Sequence, residues 1–192
     1  MPLDVPGLLA ETGALLTGHF RLSSGLHSPS YVQCARLLED PQNARDIGKA
    51  LAERIAPLGP GHIVAPALGG VIIGYTVADA LGAPMVFTER KDGEMTLRRG
   101  FALERNEPVV IVEDVVTTGK STRETATVVE SLGAQVVGYA SILNRSGSAN
   151  PFDRPYQALL ALPLQTHPES DCPLCRAGIP LDAPGSRYSA KR

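Results

Sequence analysis

The sequence predicts an α/β fold, in which an open and mostly parallel sheet is flanked by helices. Short uncharged runs rich in β-branched residues, such as residues 109–112, alternate along the chain with helix-like segments, such as residues 43–56. Strands that are apolar on both faces are typical of parallel sheets. Parallel neighbours need right-handed crossovers, which place helices on both faces of the sheet. A length of 192 residues suits a single domain over residues 1–192.

Each element has its own signal in the sequence. Apolar residues at helical spacing predict a first helix at residues 5–16, and a turn at Gly25 separates two predicted strands at residues 19–24 and 30–34. The pattern then predicts strands at residues 62–65, 85–88, 109–112, 135–143 and 156–162, and helices at residues 43–56, 71–81 and 122–132. Residues 163–192 are rich in proline and glycine and are predicted to form an irregular tail.

Composition excludes several classes of function. The net charge is −2 and charged residues make up 20%, so no basic surface for nucleic acid or membrane lipid is expected. Arg21 is the first basic residue, which argues against a signal peptide. The longest uncharged stretch, residues 63–78, is too short and too broken by Pro66 and glycines to span a membrane. Three cysteines in this length favour a reducing, cytoplasmic location.

The most informative segment is residues 113–121, Glu-Asp-Val-Val-Thr-Thr-Gly-Lys-Ser, between a predicted strand and a predicted helix. Open α/β sheets bind ligands at the carboxyl ends of their strands, and a helix start offers backbone N–H groups to phosphate. A Walker A loop would need glycine at the position of Asp114, so an NTPase is rejected. A plain strand-to-helix turn explains Gly119 and Ser121 but gives no reason for two adjacent acids. A ribose 5-phosphate fits, because the carboxylates accept from the sugar hydroxyls while residues 117–122 donate to the phosphate.

This segment resembles the phosphoribosyl diphosphate (PRPP) motif of the type I phosphoribosyltransferases, and its Glu-Asp-Val-Val-Thr-Thr-Gly form is most similar to the members that use orotate. The resemblance covers roughly residues 1–162. It implies transfer of the 5-phosphoribosyl group from PRPP to orotate, giving orotidine 5-phosphate and pyrophosphate in pyrimidine (UMP) biosynthesis. It also implies a homodimer and Mg²⁺ that is carried on the pyrophosphate of PRPP, with no dedicated protein ligands.

Two further segments gain meaning beside this motif. Gly69 and Gly70 join a predicted strand to a predicted helix, where glycines permit close approach of backbone to a ligand. Alone they suggest only a tight turn, but the resemblance implies contact with pyrophosphate. Residues 89–95 form a polar stretch that is either a solvated hairpin or a mobile lid. As a lid, it would bring Arg90 and Lys91 onto the leaving pyrophosphate, across the interface of the dimer, and Arg98 or Arg99 would assist.

The N-terminal stretch by itself indicates only strand, turn and strand. Beside the family, residues 18–31 resemble the hood (residues 1–40) that covers the pyrimidine in orotate enzymes, and the resemblance assigns Tyr31 and Val32 to the base pocket. His19 and His27 are expected to form hydrogen bonds within the hood. Arg145 follows the strand after the motif helix and is either a surface arginine or a bidentate partner for the orotate carboxylate. The resemblance implies the second role.

Two departures from the family concern its cations. Many orotate enzymes carry lysine where this chain has Ser23 and again where it has Gly69. Since both lysines contact pyrophosphate or orotate there, Arg90 and Lys91 are expected to carry more of the anion binding here.

A Cys-Pro-Leu-Cys sequence lies in the predicted tail. His167, Cys172 and Cys175 offer three potential zinc ligands, and a structural site needs a fourth, from Cys34, Asp171 or a partner subunit. The favoured interpretation is a turn packed against the body of the protein. A redox role is disfavoured, because the Cys-x-x-Cys does not open a helix after a strand.

The predicted site can be stated in full. Catalysis is assigned to Asp114, Glu113, Arg90 and Lys91. PRPP binding is assigned to Glu113, Asp114, Val115, Val116, Thr117, Thr118, Gly119, Lys120, Ser121, Arg90, Lys91, Gly69 and Gly70. Orotate binding is assigned to Thr117, Arg145, Tyr31 and Val32.

Three alternatives remain: a purine phosphoribosyltransferase, a non-catalytic PRPP-binding regulator, and a structural remnant of the fold. The sequence has neither the basic face nor the added DNA-binding domain that a regulator needs.

Overall fold

A computed structural model describes residues 3–22 and 24–184. Within them lie a two-stranded sheet, β1-β2, and a six-stranded sheet in the order β5-β4-β3-β6-β7-β8. In the larger sheet all neighbours are parallel except β4 and β5. This architecture confirms the predicted α/β fold with an open, mostly parallel sheet.

The bounds of the elements follow in chain order. They are α1 (Val5–Glu11), β1 (Leu15–Arg21), β2 (His27–Val32), α2 (Cys34–Leu37), α3 (Pro41–Ile55), β3 (His62–Pro66), α4 (Gly69–Leu81), β4 (Met85–Lys91), β5 (Glu94–Leu97), β6 (Pro108–Val116), α5 (Lys120–Ser131), β7 (Gln135–Asn144), β8 (Tyr156–Ala161) and α6 (Pro173–Arg176). Short 3-10 turns lie at Ala56–Leu58 and Glu169–Asp171. In the described part of the chain, no helix is both long and apolar enough to cross a membrane.

Both faces of the larger sheet are covered by helices. On β6, Val110 and Val112 pack into a core shared with α3 and α4, whereas Val109 and Ile111 pack into a second core with α5. Because side chains alternate between the faces of a strand, a strand buried on both sides reads as a continuous apolar run. All four of these residues are fully buried. Because helices pack on both faces of the sheet, they hold β6 in place, and β6 carries the acid pair.

The longest helix, α3, has clear signals at its N-terminus. The Asp40 side chain accepts hydrogen bonds from the backbone N–H groups of Gln42 and Asn43, at 2.7 and 3.0 Å, and Pro41 occupies the first turn. Its apolar face, including Ile47, buries against α4 and the sheet. This helix therefore holds α4, and with it the Gly69-Gly70 turn, against β3 and β6.

The predicted first helix is too long. It ends at Glu11, and Leu15 and Leu16 belong to β1, where they pair with Val32 and Tyr31 of β2. The cause is Gly13, whose φ of 59° turns the chain out of the helix. The apolar spacing that resembled a helix instead includes the start of a strand.

Residues 89–95 form a regular hairpin in this structure. Strand β4 extends to Lys91, and a two-residue turn follows in which Asp92 and Gly93 have φ values of 53° and 89°. Such a turn matches the twist of the flanking strands and leads directly into β5. The solvated hairpin, one of the two interpretations of this stretch, is the conformation observed.

The C-terminal segment packs against the N-terminal strands. His167 exchanges two backbone hydrogen bonds of 2.8 Å with His27, and Asp182 bridges to the segment around Phe20. The Ser28 hydroxyl donates to the Gln165 carbonyl at 2.8 Å. Residues 163–184 thus widen the two-stranded sheet. The predicted boundaries at residues 40 and 163 stay predictions, and residues 185–192 lie outside the described part.

Candidate functional site

A cavity of about 710 Å³ opens at the carboxyl ends of β6 and β7. It lies between the start of α5 on one side and the N-terminal strands on the other. The larger sheet and the start of α5 contribute Glu113, Asp114, Val115, Thr117, Thr118, Gly119, Lys120, Ser121, Thr122 and Arg145. The N-terminal strands contribute Leu22, Ser24, Leu26, Tyr31 and Val32. Most of the residues that the sequence predicts for the site therefore border one space.

The acid pair lies at the base of this cavity. Glu113 is buried and Asp114 is half-buried, both within the last residues of β6 rather than after it. Burial and then the charge of Asp114 raise the pKa of Glu113 well above its usual value. Burial also raises the pKa of Asp114, although the Val115 N–H, which donates at 2.8 Å, opposes the shift. The pair therefore favours a proton unless a cation or a hydroxyl donor lies beside it.

Gly69 and Gly70, the first residues of α4, lie directly against the acids, because β3 and β6 are parallel neighbours. A Cβ on Gly69 would lie 2.7 Å from each oxygen of Asp114. A Cβ on Gly70 would lie 2.9 Å from the Val112 carbonyl oxygen and 3.3 Å from Oε1 of Glu113. The start of α4 and the acid pair therefore meet, and a side chain at Gly69 would require the Asp114 carboxylate to move, whereas one at Gly70 would collide with the backbone of Val112.

The start of α5 offers backbone donors to the cavity. Gly119 is the N-cap, with a φ of 70°, and it has no side chain to cap the helix; the Thr118 hydroxyl accepts a long hydrogen bond of 3.4 Å from the Lys120 N–H. A Cβ on Gly119 would lie 2.6 Å from Nη1 of Arg123 and 2.9 Å from the Phe152 ring. Both the backbone conformation and the packing therefore require glycine here. Since Thr117, Thr118, Lys120 and Ser121 border the cavity, this turn can accommodate an anion.

Arg145 lies across the cavity from that turn. It follows β7, and its backbone N–H donates to the Val116 carbonyl at 2.8 Å, which fixes it beside the end of β6. Burial lowers the pKa of the guanidinium. Its Nε is buried without a hydrogen-bond partner, and it joins none of the ion pairs found among residues 3–22 and 24–184. A partly buried cation without an anion is costly, so this arrangement favours an anionic ligand.

The N-terminal strands and the tail form the roof of the cavity. Tyr31 and Val32 of β2 border it, and the Tyr31 ring lies 5.8 Å from the Phe20 ring. Sequence reasoning missed several lining residues, namely Gln33, Cys34, Ser146, Gly147, Pro163, Leu164 and Thr166. A turn signal was readable at Gly147, directly after Arg145 and Ser146. No local signal marks the tail residues, because their place depends on pairing with distant strands.

Arg90 and Lys91 do not border the cavity. Arg90 donates to the Gly93 carbonyl at 2.9 Å and pairs with Glu124 of α5. Arg98 and Arg99 pair with Glu89 at 3.3 and 2.9 Å. The structure therefore does not bring the predicted pyrophosphate-binding cations to the acid pair of the same chain.

Three further predicted site residues, Val116, Gly69 and Gly70, do not line the cavity. The Val116 side chain is buried in the core beside α5, which leaves only its backbone for a ligand. Gly69 and Gly70 contact the acids without lining the cavity itself. Ser23, where many relatives are expected to have lysine, lies outside the described residues.

An acid pair and a helix start lie together at the carboxyl edge of the parallel strands, an arrangement that suits a sugar phosphate. Residues 33–160 match the phosphoribosyl transferase domain. The chain belongs to the phosphoribosyltransferase family.

Individual relatives narrow this class. The chain is 48% identical over 180 residues to orotate phosphoribosyltransferase of Thermotoga maritima, covering 94% of this chain and 96% of that protein. It is 44% identical over 187 residues to the enzyme of the same name from Carboxydothermus hydrogenoformans, covering 96% and 98%. The crystal structure of orotate phosphoribosyltransferase from Aeropyrum pernix superposes with a TM-score of 0.66 at 25% identity, covering 81% of this chain and 92% of that one.

Proposed function

We propose that the protein is an orotate phosphoribosyltransferase, which forms orotidine 5-phosphate and pyrophosphate from orotate and PRPP in pyrimidine biosynthesis. The observation that carries the proposal is Arg145, a half-buried cation that has no anionic partner within the described part of the chain and that borders the same cavity as the acid pair. Orotate supplies the missing carboxylate, and a planar guanidinium binds a carboxylate through two parallel hydrogen bonds. The identity of 44–48% to curated enzymes of this name supports the same substrate.

In this proposal the start of α5 anchors the 5-phosphate of PRPP. The backbone N–H groups of residues 117–121 donate to the phosphate oxygens, and the helix dipole favours the negative charge. Glu113 and Asp114 accept hydrogen bonds from the ribose hydroxyls. Anchoring at both ends fixes the anomeric carbon between the acid pair and the base pocket.

The protein itself takes little part in the bond changes of the reaction. The ring nitrogen of orotate forms a bond to the anomeric carbon while the bond to pyrophosphate breaks, and pyrophosphate leaves with the bonding electrons. Positive charge develops on the sugar, and the carboxylates of Glu113 and Asp114 stabilise it. Arg145, Tyr31, Val32 and Thr117 orient orotate. No general base is assigned, since the ring nitrogen can react as the anion.

Mg²⁺ fits the donor set at the base of the cavity. Two carboxyls whose pKa values are raised by burial, with no cation paired to either among the described residues, favour a hard divalent cation nearby. Mg²⁺ would arrive on the pyrophosphate of PRPP, close to Asp114 and Glu113, and would neutralise part of its charge. The protein provides the carboxylates of Glu113 and Asp114 at the edge of the cavity.

Pyrophosphate needs further cations, and the proposal assigns Arg90 and Lys91 of a partner subunit to this role. In this structure both lie on the β4–β5 hairpin, away from the cavity of their own chain. A homodimer in which the hairpin reaches the neighbouring site would resolve the mismatch. The pairing of Arg90 with Glu124 would then have to open when the hairpin closes.

An apolar surface supports self-association. Leu68, Ile72 and Tyr75 lie along the first turns of α4 and are 87%, 49% and 66% exposed. Apolar side chains clustered in this way mark protein interfaces, and a second copy of this chain is the proposed occupant. The face adjoins the first residues of α4, Gly69 and Gly70, so a partner bound there would lie next to the acid pair.

The predicted cytoplasmic location is also retained as part of the proposal.

The alternatives predict different substrates. A purine phosphoribosyltransferase would share the acid pair and the helix start but would not need an unpaired arginine for a carboxylate. A PRPP-binding regulator would bind PRPP without turnover. A structural remnant of the fold is disfavoured, because both acids are kept and border an open cavity.

One assay separates these alternatives. The purified protein is mixed with PRPP, Mg²⁺ and, in turn, orotate, uracil, adenine or xanthine, and consumption of each base is followed by absorbance and chromatography. The proposal predicts turnover of orotate only, and loss of turnover in Asp114→Asn. Turnover of a purine with orotate unchanged would replace the assignment, and PRPP binding with no turnover would favour a regulator.

A further inference from the structure

We propose that His19, His27, Cys172 and Cys175 bind one Zn²⁺ ion, which joins the N-terminal strands to the C-terminal segment. Their four donor atoms lie within 4.8 Å of one another. None of the four borders the substrate cavity, and none is used in the proposed reaction. The site is therefore separate from Mg²⁺ and from PRPP.

The cluster in the structure shares its two cysteines, but not its histidines, with the set suggested by the sequence. Proximity in the sequence groups His167 with Cys172 and Cys175. In the structure His167 contributes backbone hydrogen bonds to His27, and the donor atoms come from His19 of β1 and His27 of β2. Both imidazole ligands thus come from the other end of the same chain, and no partner subunit is needed to complete the set.

The distances suit a tetrahedral metal site. Sγ of Cys172 and Sγ of Cys175 lie 3.6 and 3.7 Å from Nε2 of His19, and Sγ of Cys175 lies 3.3 Å from Nδ1 of His27. Zn–S bonds of about 2.3 Å and Zn–N bonds of about 2.0–2.1 Å place nitrogen and sulfur about 3.5 Å apart. The two nitrogens are 2.9 Å apart and the full set spans up to 4.8 Å, so side-chain shifts of about 1 Å would complete the tetrahedron.

The tautomer of His19 favours metal binding. Its Nδ1 lies 2.8 Å from the carbonyl oxygen of Ile179. A carbonyl only accepts, so Nδ1 carries the proton and Nε2 presents a lone pair to the cluster. A backbone carbonyl that fixes the second ring nitrogen in this way is the usual support of a zinc-binding histidine.

Hydrogen bonds among the two histidines and two cysteines cannot satisfy all of their donors and acceptors. If Nδ1 of His27 donates to Nε2 of His19, then that donor and two thiols compete for a single lone pair. If instead Nδ1 of His27 is unprotonated, two lone pairs face each other at 2.9 Å. His19, His27 and Cys172 are at most 3% exposed, so water offers little compensation. A dication bound by two imidazoles and two thiolates removes both conflicts.

The donor set selects zinc and a structural role. Two thiolates and two imidazoles suit Zn²⁺, whereas Mg²⁺ and Ca²⁺ prefer oxygen. Four protein ligands leave no open position for catalysis. Cys172 and Cys175 flank the start of α6 with the two-residue spacing of zinc-binding turns. His19 and Cys172 are 153 residues apart, so a metal between them closes a very long loop.

Zinc would also influence the substrate cavity. The same C-terminal segment contributes Pro163, Leu164 and Thr166 to the cavity roof. Holding this segment against β1 and β2 fixes the roof over the base pocket. The metal would thus stabilise both the fold and the shape of the site.

The test measures metal content, independently of turnover. The untagged protein is prepared under reducing conditions from zinc-containing medium and analysed by elemental mass spectrometry. The proposal predicts one zinc per chain in the wild type, and a loss of at least about tenfold in zinc affinity for Cys175→Ser and His19→Asn. His167→Ala and Cys34→Ser are matched controls that keep their zinc. Cys175 is exposed, so its replacement by serine tests ligation with little risk to packing.

Two further readouts identify the ligands. Co²⁺ exchanged into the wild type should give the visible bands of tetrahedral cobalt and a thiolate charge-transfer band, both absent in Cys175→Ser. EDTA should lower the Tm of the wild type and leave that of Cys175→Ser unchanged. A folded wild type that neither contains zinc nor gains Tm when zinc is added would overturn the proposal. So would a Cys172–Cys175 disulfide in the reduced preparation, or zinc lost from His167→Ala but kept by His19→Asn.

Discussion

The carboxylate of Asp114 lies against the α-carbon of Gly69, so closely that a Cβ at residue 69 would come within 2.7 Å of both carboxylate oxygens. Two separate loops of the sheet thus share one contact at the base of the cavity. A lysine at this position, which many family members are expected to carry, would require the Asp114 carboxylate to move. The glycine is therefore part of how this chain positions its acid.

We expect Gly69→Ala to lower kcat/KM for PRPP by about 100-fold, because displacement of a positioned group by about 1 Å costs that much. Gly69→Lys should be no better, even though it adds a cation. Gly61→Ala is the control, since a Cβ there would meet its neighbours at 3.5 Å, an ordinary contact. Steady-state kinetics with all three variants check this, and a fully active Gly69→Ala would show that the contact has no role.

Glu113 should make the ligand-free protein less stable as pH rises. Its folded pKa is raised above the ordinary 4.5, so its contribution is fully present below that pH and is lost as pH rises through the folded value. Glu113→Gln lacks this titration. The Tm of Glu113→Gln minus that of the wild type should therefore grow as pH rises above the ordinary value of 4.5, with each unit of the pKa shift worth about 1.4 kcal/mol. A difference that does not change with pH above that value would contradict the burial argument.

Arg145 should act on orotate and leave PRPP binding unchanged. We expect Arg145→Gln to raise KM for orotate about 10- to 100-fold, which corresponds to the loss of a charge-assisted hydrogen bond of about 1.5–3 kcal/mol. Arg145→Lys should recover only part of this, because it cannot bind a carboxylate through a planar fork. Initial rates over a matrix of both substrate concentrations separate the effects. Equal losses for orotate and PRPP would count against a specific carboxylate contact.

Substitution of Gly119 should lower both the stability of the fold and the affinity for PRPP. Its φ of 70° disfavours any side chain, and we expect Gly119→Ala to lower the free energy of unfolding by about 1–2 kcal/mol. Gly59→Ala is matched to it, with a φ of 62° and nothing within 4 Å of the new Cβ. Both variants should lose stability in urea titrations. Only Gly119→Ala should also lose PRPP affinity, measured by calorimetry; an equal loss in Gly59→Ala would indicate a general effect of stability.

Hybrid dimers should show whether the hairpin acts across the interface. Arg90→Ala and Asp114→Asn homodimers should both be nearly inactive, but mixing them should restore activity, because one hybrid site receives Arg90 and Asp114 from different chains. Adding Tyr75→Arg to both, at the exposed apolar surface of α4, should give monomers by light scattering and abolish the rescue. No gain on mixing, with exchange of subunits verified, would assign the hairpin to its own chain.

The sequence predicted those parts of the site whose positions depend on short-range pattern. Asp114, Gly119 and Arg145 each lie at the end of a strand or the start of a helix, so their places follow from short-range pattern and sheet topology. The overlong first helix was a local error of another kind, because Leu15 and Leu16 satisfy helical spacing by chance while Gly13 ends the helix.

Contacts between residues that lie far apart in the sequence could not be predicted. Nothing near Arg90 in sequence indicates its partner Glu124 on α5, which lies 34 residues away. The tail looked irregular because its order comes from pairing with β1 and β2 rather than from its own pattern. The same pairing brings His19 and His27 to Cys172 and Cys175, so the metal-binding set was visible only in three dimensions.

A crystal structure with PRPP and Mg²⁺ would show whether the acid pair and the start of α5 bind the phosphorylated sugar between them. We expect the 5-phosphate on the backbone N–H groups of residues 117–121, with the ribose hydroxyls on Glu113 and Asp114. Electron density for the sugar phosphate at any other place on the protein, with this junction left unliganded, would contradict it.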